Sequence, residues 1–274
     1  MSGGKRANGI AAFSREEYDN YRKSLASKKE WPGFNIRTNS QVTNVPMLLM
    51  ELYRLVPYKD GRYVNFHPFN MPLIKVRKIN LVGTVTGVSR NVNNLALTIE
   101  DGTGEVEVNY RLEPYMSELK QRQEIDERYR SRAGNLRADG ATASTSKDCP
   151  KKFPETRPAF RYPRGVSLRD IAVLENEWWL ETKGGLLGKE IQPYDHVYVV
   201  GYPCIDTLFQ RIPEQVTAEF VERSRMTVFA MSVACISEKM YNEKLLTWMG
   251  TTIRQRYTED TGYYARDKWR GPQK

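Results

Sequence analysis

The sequence has few of the residue types on which most enzyme and metal sites depend. It contains two histidines, His67 and His196, and three cysteines, Cys149, Cys204 and Cys235. The cysteines lack the short spacings of zinc sites, and their odd number disfavours a secreted disulfide framework. Neither histidine belongs to a sequence motif that would pair it with a Cys, Ser or Asp residue for nucleophilic or acid–base catalysis. The sequence therefore predicts a non-enzymatic protein of a reducing compartment, without a metal or another cofactor.

Long apolar runs are also missing. The longest, such as VPMLLM at residues 45–50, fall far short of the roughly 20 residues that a membrane-spanning helix needs, and no signal-type apolar segment follows Met1. We therefore expect a soluble intracellular protein. Positive charge is in excess, with 42 Lys and Arg against 33 Asp and Glu and a net charge of +9. This balance favours a polyanionic partner such as nucleic acid.

Residues 77–111 have the two-residue period of β-strands. Apolar and polar residues alternate in three runs, and the turn at residues 101–104 predicts a hairpin between the second and third runs. Gly83 and Gly87 in the first run predict a bulge and strong coiling, which allow one long strand to serve two sides of a small barrel. Two further strands are predicted at residues 196–202 and 226–236.

Helical spacing is clearest near the end of the sequence. Over residues 237–257, the side chains of Tyr241, Leu245, Trp248 and Thr252 form an apolar stripe that must be buried against something. Other helices are predicted around residues 14–21, 44–55, 117–129 and 166–180. We expect the helix at 166–180 to cover one end of the barrel.

The order of these elements predicts the fold. Three curved strands, a helix-bearing connection, two more strands and a terminal helix fit a mostly β structure built on a five-stranded OB-fold barrel, with flanking helices. We expect a flexible N-terminal extension with a short helix over residues 1–43, an OB-fold domain over 44–257 and a tail over 258–274. A mobile basic insertion over about 118–164 separates the third and fourth strands, and the helix at 237–257 is expected to bind a partner.

Nucleic-acid binding would need cations for phosphates and aromatic faces for bases, each stacked base contributing about 1–3 kcal/mol. The outward face of the third strand offers Asn109 and Arg111, whereas Glu105 and Glu107 on the same face would repel phosphate. The predicted nucleic-acid-binding residues are Arg90, Asn109, Arg111, Tyr202, Phe209 and Arg211. Capping of the barrel is an equally open interpretation of Tyr202 and Phe209.

One glycine-rich run has a partial likeness to a phosphate-binding loop. Residues 184–190 read GGLLGKE, but Lys183 stands where that motif begins with glycine and Glu190 where it needs Ser or Thr for magnesium. We interpret this run as a turn before a strand.

Residues 65–110 contain HPFNMPLIKVRKINLVGTVTGV and LTIEDGTGEVEV, and here the chain resembles the Stn subunit of the CST telomere-capping complex. That subunit is itself similar to the middle subunit of replication protein A. Family members carry an HP-like turn, a first strand of the form LGTVxGV and a DDxTG hairpin, which correspond here to His67–Pro68 and to residues 81–88 and 100–104. The run DHVYVVGY occupies the place of the fourth strand, and ISEKMYNEKLLTWM resembles the helix that binds the small Ten partner.

The resemblance implies a non-enzymatic subunit that forms a heterodimer with a small Ten-like OB-fold protein and joins a large CST-type subunit. Such complexes hold telomeric single-stranded DNA in the nucleus, protect chromosome ends and support fill-in by polymerase alpha–primase. Arg111 departs from the aromatic residue that often ends the third strand. The partner-binding residues implied on the helix are Tyr241, Leu245, Trp248, Met249, Thr252 and Ile253.

Three alternative functions remain open at this level. The first is a protein-interaction adaptor whose OB-fold barrel binds no nucleic acid, which Glu105 and Glu107 favour. The second is a general single-strand binding subunit like those of replication protein A, and the third is an RNA-binding OB-fold protein outside telomeres.

Overall fold

The computed structural model describes residues 41–42, 44–60, 63–68, 75–136, 158–206 and 225–253. Within these ranges, no helix is long and apolar enough to cross a membrane. The strands are β1 (Gln41–Val42), β2 (Val45–Pro46), β3 (Leu55–Asp60), β4 (Tyr63–Pro68), β5 (Lys75–Val76), β6 (Ile79–Arg90), β7 (Asn94–Glu100), β8 (Glu105–Arg111), β9 (His196–Ile205) and β10 (Met226–Ile236). The helices are α1 (Leu49–Leu52), α2 (Leu112–Gly134), α3 (Leu168–Glu181) and α4 (Glu238–Thr247), which continues as a π-helical segment over Trp248–Ile253.

Five strands in the described part of the chain close into a barrel. β7 pairs antiparallel with β6 and with β8. β10 then pairs parallel with β8 and antiparallel with β9, and β9 returns to β6. This closed order, with flanking helices, is that of an OB-fold barrel, so the predicted fold is confirmed.

Strand β6 serves two sides of the barrel, as its glycines predicted. Residues 79–84 pair with β9, whereas residues 84–90 pair with β7. The register shifts between Val85 and Gly87, which is the expected bulge. At Gly83, an added Cβ would lie 3.0 Å from the Glu100 carbonyl oxygen and 3.2 Å from Ile99 Cβ, so glycine allows β7 to approach closely.

The barrel core is formed by the inward residues of all five strands. Alternation places Leu97, Val108 and Val199 inward, where they are fully buried. The first turns of α2 add Tyr115 to the same core, and its hydroxyl accepts a hydrogen bond from the Ile191 amide at 3.2 Å. Helix α2 is therefore anchored to the barrel directly after β8.

The predicted helix over residues 44–55 is wrong apart from the single turn α1. Asn44 has a positive φ of 61°, β2 pairs parallel with β6, and the chain passes from α1 into β3. Leu49, Leu52 and Leu55 are buried in the barrel core. Their spacing therefore reflects a segment that wraps the barrel rather than one long helix.

A second sheet of four strands, in the order β1, β5, β4 and β3, was missed by the sequence analysis. Its centre is the antiparallel pair β3–β4, in which Leu55 faces Pro68 and Asp60 faces Tyr63. His67 is the residue of β4 before Pro68 and is buried, with Nδ1 donating to the Pro68 carbonyl at 2.8 Å. Burial lowers the pKa of His67 to about 4, so this histidine is a neutral structural residue at pH 7.

Helix α1 is held by the hairpin turn between β7 and β8. The Asp101 carboxylate accepts from the Leu49 amide at 2.8 Å and from the Thr103 amide and hydroxyl at 2.8 Å and 2.6 Å. The Thr103 hydroxyl in turn accepts from the Met50 amide at 3.1 Å. In every α-helix, the first four backbone N–H groups have no hydrogen-bond acceptor within the helix. The predicted Asp-Gly-Thr-Gly hairpin therefore also caps a helix on another part of the chain.

Helices α2 and α3 pack together around a cluster of their own. Ile125, Tyr129 and Ala133 of α2 contact Leu174 and Trp178 of α3. The expectation that the helix at 166–180 covers one end of the barrel is wrong, because its buried residues lie against α2.

The helix expected at 117–129 is longer than predicted. Residues 118–136 of the predicted insertion belong to α2 and the residues after it, and residues 137–157 lie outside the described ranges.

Arg122 connects this helix pair to the glycine-rich turn. Its Nη1 donates to the carbonyls of Gly185 and Leu187 at 2.7 Å and 3.0 Å, and its Nε donates to Asp126 at 3.0 Å. At Gly188, which has a φ of 58°, an added Cβ would lie 2.3 Å from the Glu118 carbonyl oxygen. The run at 184–190 is therefore a structural turn, as interpreted from the sequence.

The domain limits remain a prediction, and the helix predicted at 14–21 lies outside the described residues.

Candidate nucleic-acid interface

The outward face of the barrel follows from the same alternation that fills the core. Asn109 of β8 is in register with Ala96 of β7 on one side and with Phe229 of β10 on the other. Phe229 is in register with Tyr202 of β9. Paired residues share a face of the sheet, so Ala96, Asn109, Phe229 and Tyr202 form a row across four strands, which we call the outward row.

Two cations lie over the aromatic rings of the outward row. The Arg111 guanidinium carbon is 5.6 Å from the centre of the Phe229 ring, and the Lys78 Nζ is 5.8 Å from the centre of the Tyr202 ring. Neither cation forms an ion pair with a carboxylate of the described residues. A ring beside an unpaired positive charge suits an unstacked base and its phosphate.

The predicted repulsion by Glu107 is weakened by two neighbours. Arg225 donates to one Glu107 oxygen at 3.1 Å, and the Asn109 amide donates to the other at 3.0 Å. Glu100 and Glu105 face each other next to the turn that joins β7 to β8, and both are exposed. Negative charge on this side of the barrel is therefore concentrated at the hairpin end, away from Arg111.

Arg90 does not share the outward row. It is in register with Leu95, whose side chain points inward, and its Nη2 lies 3.0 Å from the Met116 sulfur at the start of α2. Ser89 is the residue of β6 that is in register with Ala96. Arg90 is thus at the mouth of the barrel, and Phe209 and Arg211 lie outside the described residues.

Phe229 and Lys78 belong to this surface but were not predicted. Phe229 lies in the run MTVFAMSVACI, in which apolar residues occupy both faces of the strand. Alternation therefore gave no sign that this ring points outward. The signal that could have identified Phe229 was the predicted order of strands in the barrel. That order places the fifth strand, which contains Phe229, beside the third strand, which contains Arg111.

The stripe predicted on the terminal helix packs on the barrel of the same chain. Tyr241 stacks on His196 with the ring centres 4.5 Å apart, and the His196 Nδ1 lies 3.1 Å from the Thr84 hydroxyl. Trp248 is 9% exposed and lies against Tyr198. Leu245 packs on the same cluster, which also contains Leu48, Val82 and Ile236.

The other side of the helix stays exposed. Leu246 is 68% exposed, and Met240 and Met249 are also exposed. Met249 is thus the one predicted partner-binding residue whose side chain the structure shows in an exposed position. Thr252 and Ile253 continue the backbone as part of the π-helical segment.

The described residues contain no group of three or more His, Cys, Asp and Glu side chains that could hold a metal ion. Cys204 and Cys235 are free thiols. Burial, with the Asp195 carboxylate nearby, raises the pKa of Cys235 to about 12, which makes this thiol unreactive at neutral pH.

No protein-family model matches the chain, and no curated protein matches it. Solved structures that are similar to it include the following two. One is a chain of the S. pombe Stn1–Ten1 complex, with 12% identity over 82% of this chain and 98% of that chain and a TM-score of 0.38. The other is a chain of a replication protein A heterotrimer bound to single-stranded DNA, with 13% identity over 77% of this chain and 94% of that chain and a TM-score of 0.36. The fold that the resemblance implied, an OB-fold barrel with flanking helices, is the one that the strand pairings of this chain form.

Proposed function

We propose that this chain is a non-enzymatic OB-fold subunit that holds single-stranded DNA on the outward row of its barrel. The observation that carries the proposal is Arg111 over the Phe229 ring, beside the Asn109 amide. This group provides one charge for a phosphate, one aromatic face for a base and one hydrogen-bonding side chain, all on a rigid sheet.

An unpaired strand fits this surface better than a duplex does. Base pairs in a duplex stack on one another, so their faces are not available to a protein ring, whereas each unpaired base exposes a face. The sequence motifs of the barrel and of the terminal helix resemble those of Stn subunits. We therefore propose telomeric single-stranded DNA as the ligand, with protection of chromosome ends in the nucleus and support of polymerase alpha–primase fill-in as the roles of the assembly.

The first test replaces Arg111 with alanine and Phe229 with leucine, separately. Phe229→Leu is expected to bind a G-rich single-stranded oligonucleotide about 5- to 150-fold more weakly, the effect of about 1–3 kcal/mol per stacked base, and Arg111→Ala is expected to weaken binding by removing one positive charge from a phosphate. Loss of one phosphate contact at Arg111 should also reduce the slope of log affinity against log salt by about 0.7. Fluorescence anisotropy at several salt concentrations measures both quantities.

Arg130→Ala is the matched control, because Arg130 is an exposed arginine on α2, away from the outward row. Leucine keeps most of the apolar volume of Phe229, and thermal unfolding checks that the fold is retained. Binding by both variants that equals the wild type and Arg130→Ala would contradict the proposed site.

The partner is proposed to be a small Ten-like OB-fold protein that contacts the exposed face of α4. Leu246 and Met249 lie on this face, and at Gly250 an added Cβ would meet no atom within 4 Å. Tyr241, Leu245 and Trp248 are then positioning residues that hold the helix on the barrel. Thr252 and Ile253 stay predicted partner-binding residues, and a large CST-type subunit is proposed to complete the assembly.

Leu246→Glu is expected to reduce co-purification with the small partner by at least about tenfold, since burial of one unpaired charge costs several kcal/mol. Leu180→Glu is the matched control, because Leu180 on α3 is also 68% exposed. Size-exclusion chromatography of the co-expressed pair measures the complex. Equal recovery of the complex with both variants would exclude this face.

The adaptor remains the second candidate because Glu100 and Glu105 place two facing carboxylates on the β7–β8 face, at the turn end of the hairpin. A purified heterodimer that binds no single-stranded DNA at low salt would support the adaptor. Equal affinity for G-rich and thymine oligonucleotides would instead support a general subunit like those of replication protein A. Stronger binding to the matching RNA would favour an RNA-binding protein.

A further inference from the structure

We infer that the bound strand crosses β8, β10 and β9 and ends at Lys78, rather than following the face of β7 and β8. This inference rests on the proposed function and specifies the path of the single strand. It makes Tyr202 and Lys78 a second base-and-phosphate subsite next to the one formed by Phe229 and Arg111.

The two subsites have the same construction and lie on neighbouring strands. Each has one aromatic ring with one cation between 5.6 Å and 5.8 Å from the ring centre. Phe229 and Tyr202 are directly opposed in the antiparallel pair β9–β10, and neighbouring strands lie about 4.8 Å apart. Two bases can therefore stack side by side while the chain of phosphates runs from Arg111 towards Lys78.

The composition of β7 argues against a path in the other direction. Its outward residues are Asn94, Ala96, Thr98 and Glu100, and none of them is aromatic. In OB-fold barrels, the face of the second and third strands is the common binding surface for oligonucleotides. Here that face has no ring on β7 and ends in the carboxylates of Glu100 and Glu105. Stacking is therefore available only towards β10 and β9 among the described strands.

The terminal helix limits the path on the far side of β9. Tyr198 points outward like Tyr202, but it lies under Lys244 at 4.8 Å from the ring centre and against Trp248. The two tyrosines are four positions apart along the strand, which is about 13 Å. Tyr202 is thus the outward tyrosine of β9 that α4 leaves accessible. The proposed DNA path therefore passes close to α4, the helix that is proposed to contact the partner.

The test compares Tyr202→Leu and Lys78→Gln with wild type on thymine oligonucleotides of increasing length. The expected result is a loss of about 5- to 150-fold for Tyr202→Leu on long oligonucleotides and a salt slope reduced by about 0.7 for Lys78→Gln. On the shortest oligonucleotide that still binds, both variants should approach wild-type affinity, since that ligand fills only the subsite of Phe229 and Arg111. Tyr194→Leu and Lys120→Gln are controls at exposed positions off the outward row.

The outcomes separate this inference from the proposed function. If Arg111→Ala and Phe229→Leu weaken binding while Tyr202→Leu and Lys78→Gln match their controls, the path is wrong and the proposed function stands. If wild type binds and none of the four variants weakens it, the site lies elsewhere and the inference falls with the proposed site. If wild type binds no single-stranded DNA, both are overturned.

Discussion

Asp101→Ala is expected to lower the free energy of unfolding by about 3–5 kcal/mol, measured by urea denaturation. Asp101 is 6% exposed, and its carboxylate accepts hydrogen bonds from Leu49 and Thr103. Alanine leaves these donors without their acceptor, and each buried unsatisfied donor costs about 1–3 kcal/mol. The loss should be large because the same carboxylate joins the β7–β8 turn to α1, two parts of the chain far apart in sequence.

Two neighbouring variants make this prediction specific. Asp101→Asn keeps one oxygen acceptor and should lose about half as much stability, because hydrogen bonds to a charged acceptor are stronger than those to a neutral one. Glu100→Ala removes the adjacent exposed carboxylate and should change stability by less than about 0.5 kcal/mol. If Asp101→Ala unfolds at the same urea concentration as Glu100→Ala, the turn does not hold α1.

Arg122→Met is expected to be similarly destabilising, by about 3–5 kcal/mol. The Arg122 guanidinium is buried, lies 5.1 Å from the centre of the Trp178 ring, and donates to two carbonyls of the glycine-rich turn. Removal of one partner from a buried charged network leaves the other groups without compensation. Asp126, which also accepts from the Trp178 indole at 2.8 Å, would lose its cation.

The control for Arg122 is another arginine on the same helix. Arg128 forms an ion pair with Glu181 at 2.9 Å, but its side chain is exposed, and such pairs contribute about 0–1 kcal/mol. Arg128→Met should therefore be nearly neutral in thermal and chemical unfolding. Hydrogen exchange gives a second readout, since Arg122→Met should reduce protection in α2 and α3 more than in β6. Equal stability of the two variants would contradict the role given to Arg122.

The barrel could be predicted because its strands bury one face and leave the other polar. β7 and β8 alternate strictly, and the glycines of β6 mark the bulge between Val85 and Gly87. The second sheet was missed because Leu49, Leu52 and Leu55 have helical spacing, although they are buried by wrapping round the barrel. The dipeptide Asp60–Gly61, between two runs of strand-forming residues, was the overlooked hairpin signal.

The candidate site was only partly accessible from the sequence. Asn109 and Arg111 could be placed on an outward face because β8 alternates, whereas Phe229 lies in a strand that is apolar on both faces. Contacts of Arg111 with Phe229 and of Lys78 with Tyr202 depend on which strands become neighbours, and strand order is a property of the closed barrel. On the terminal helix, the spacing predicted the apolar stripe, but spacing alone could not show that Tyr241 and Trp248 pack on β9.

The parallel pairing of β8 with β10 has a consequence for the rate of folding. Glu107 and Arg225, which form an ion pair at this junction, are 118 residues apart in the sequence. Bringing such distant segments together costs chain entropy before any contact compensates it, and a high contact order slows folding. The helix pair α2–α3 lies within this interval and depends on contacts closer in sequence. The helix pair is therefore expected to form early and to shorten the flexible connection between β8 and β10. Docking of β10 onto β8 then becomes the late, rate-limiting event.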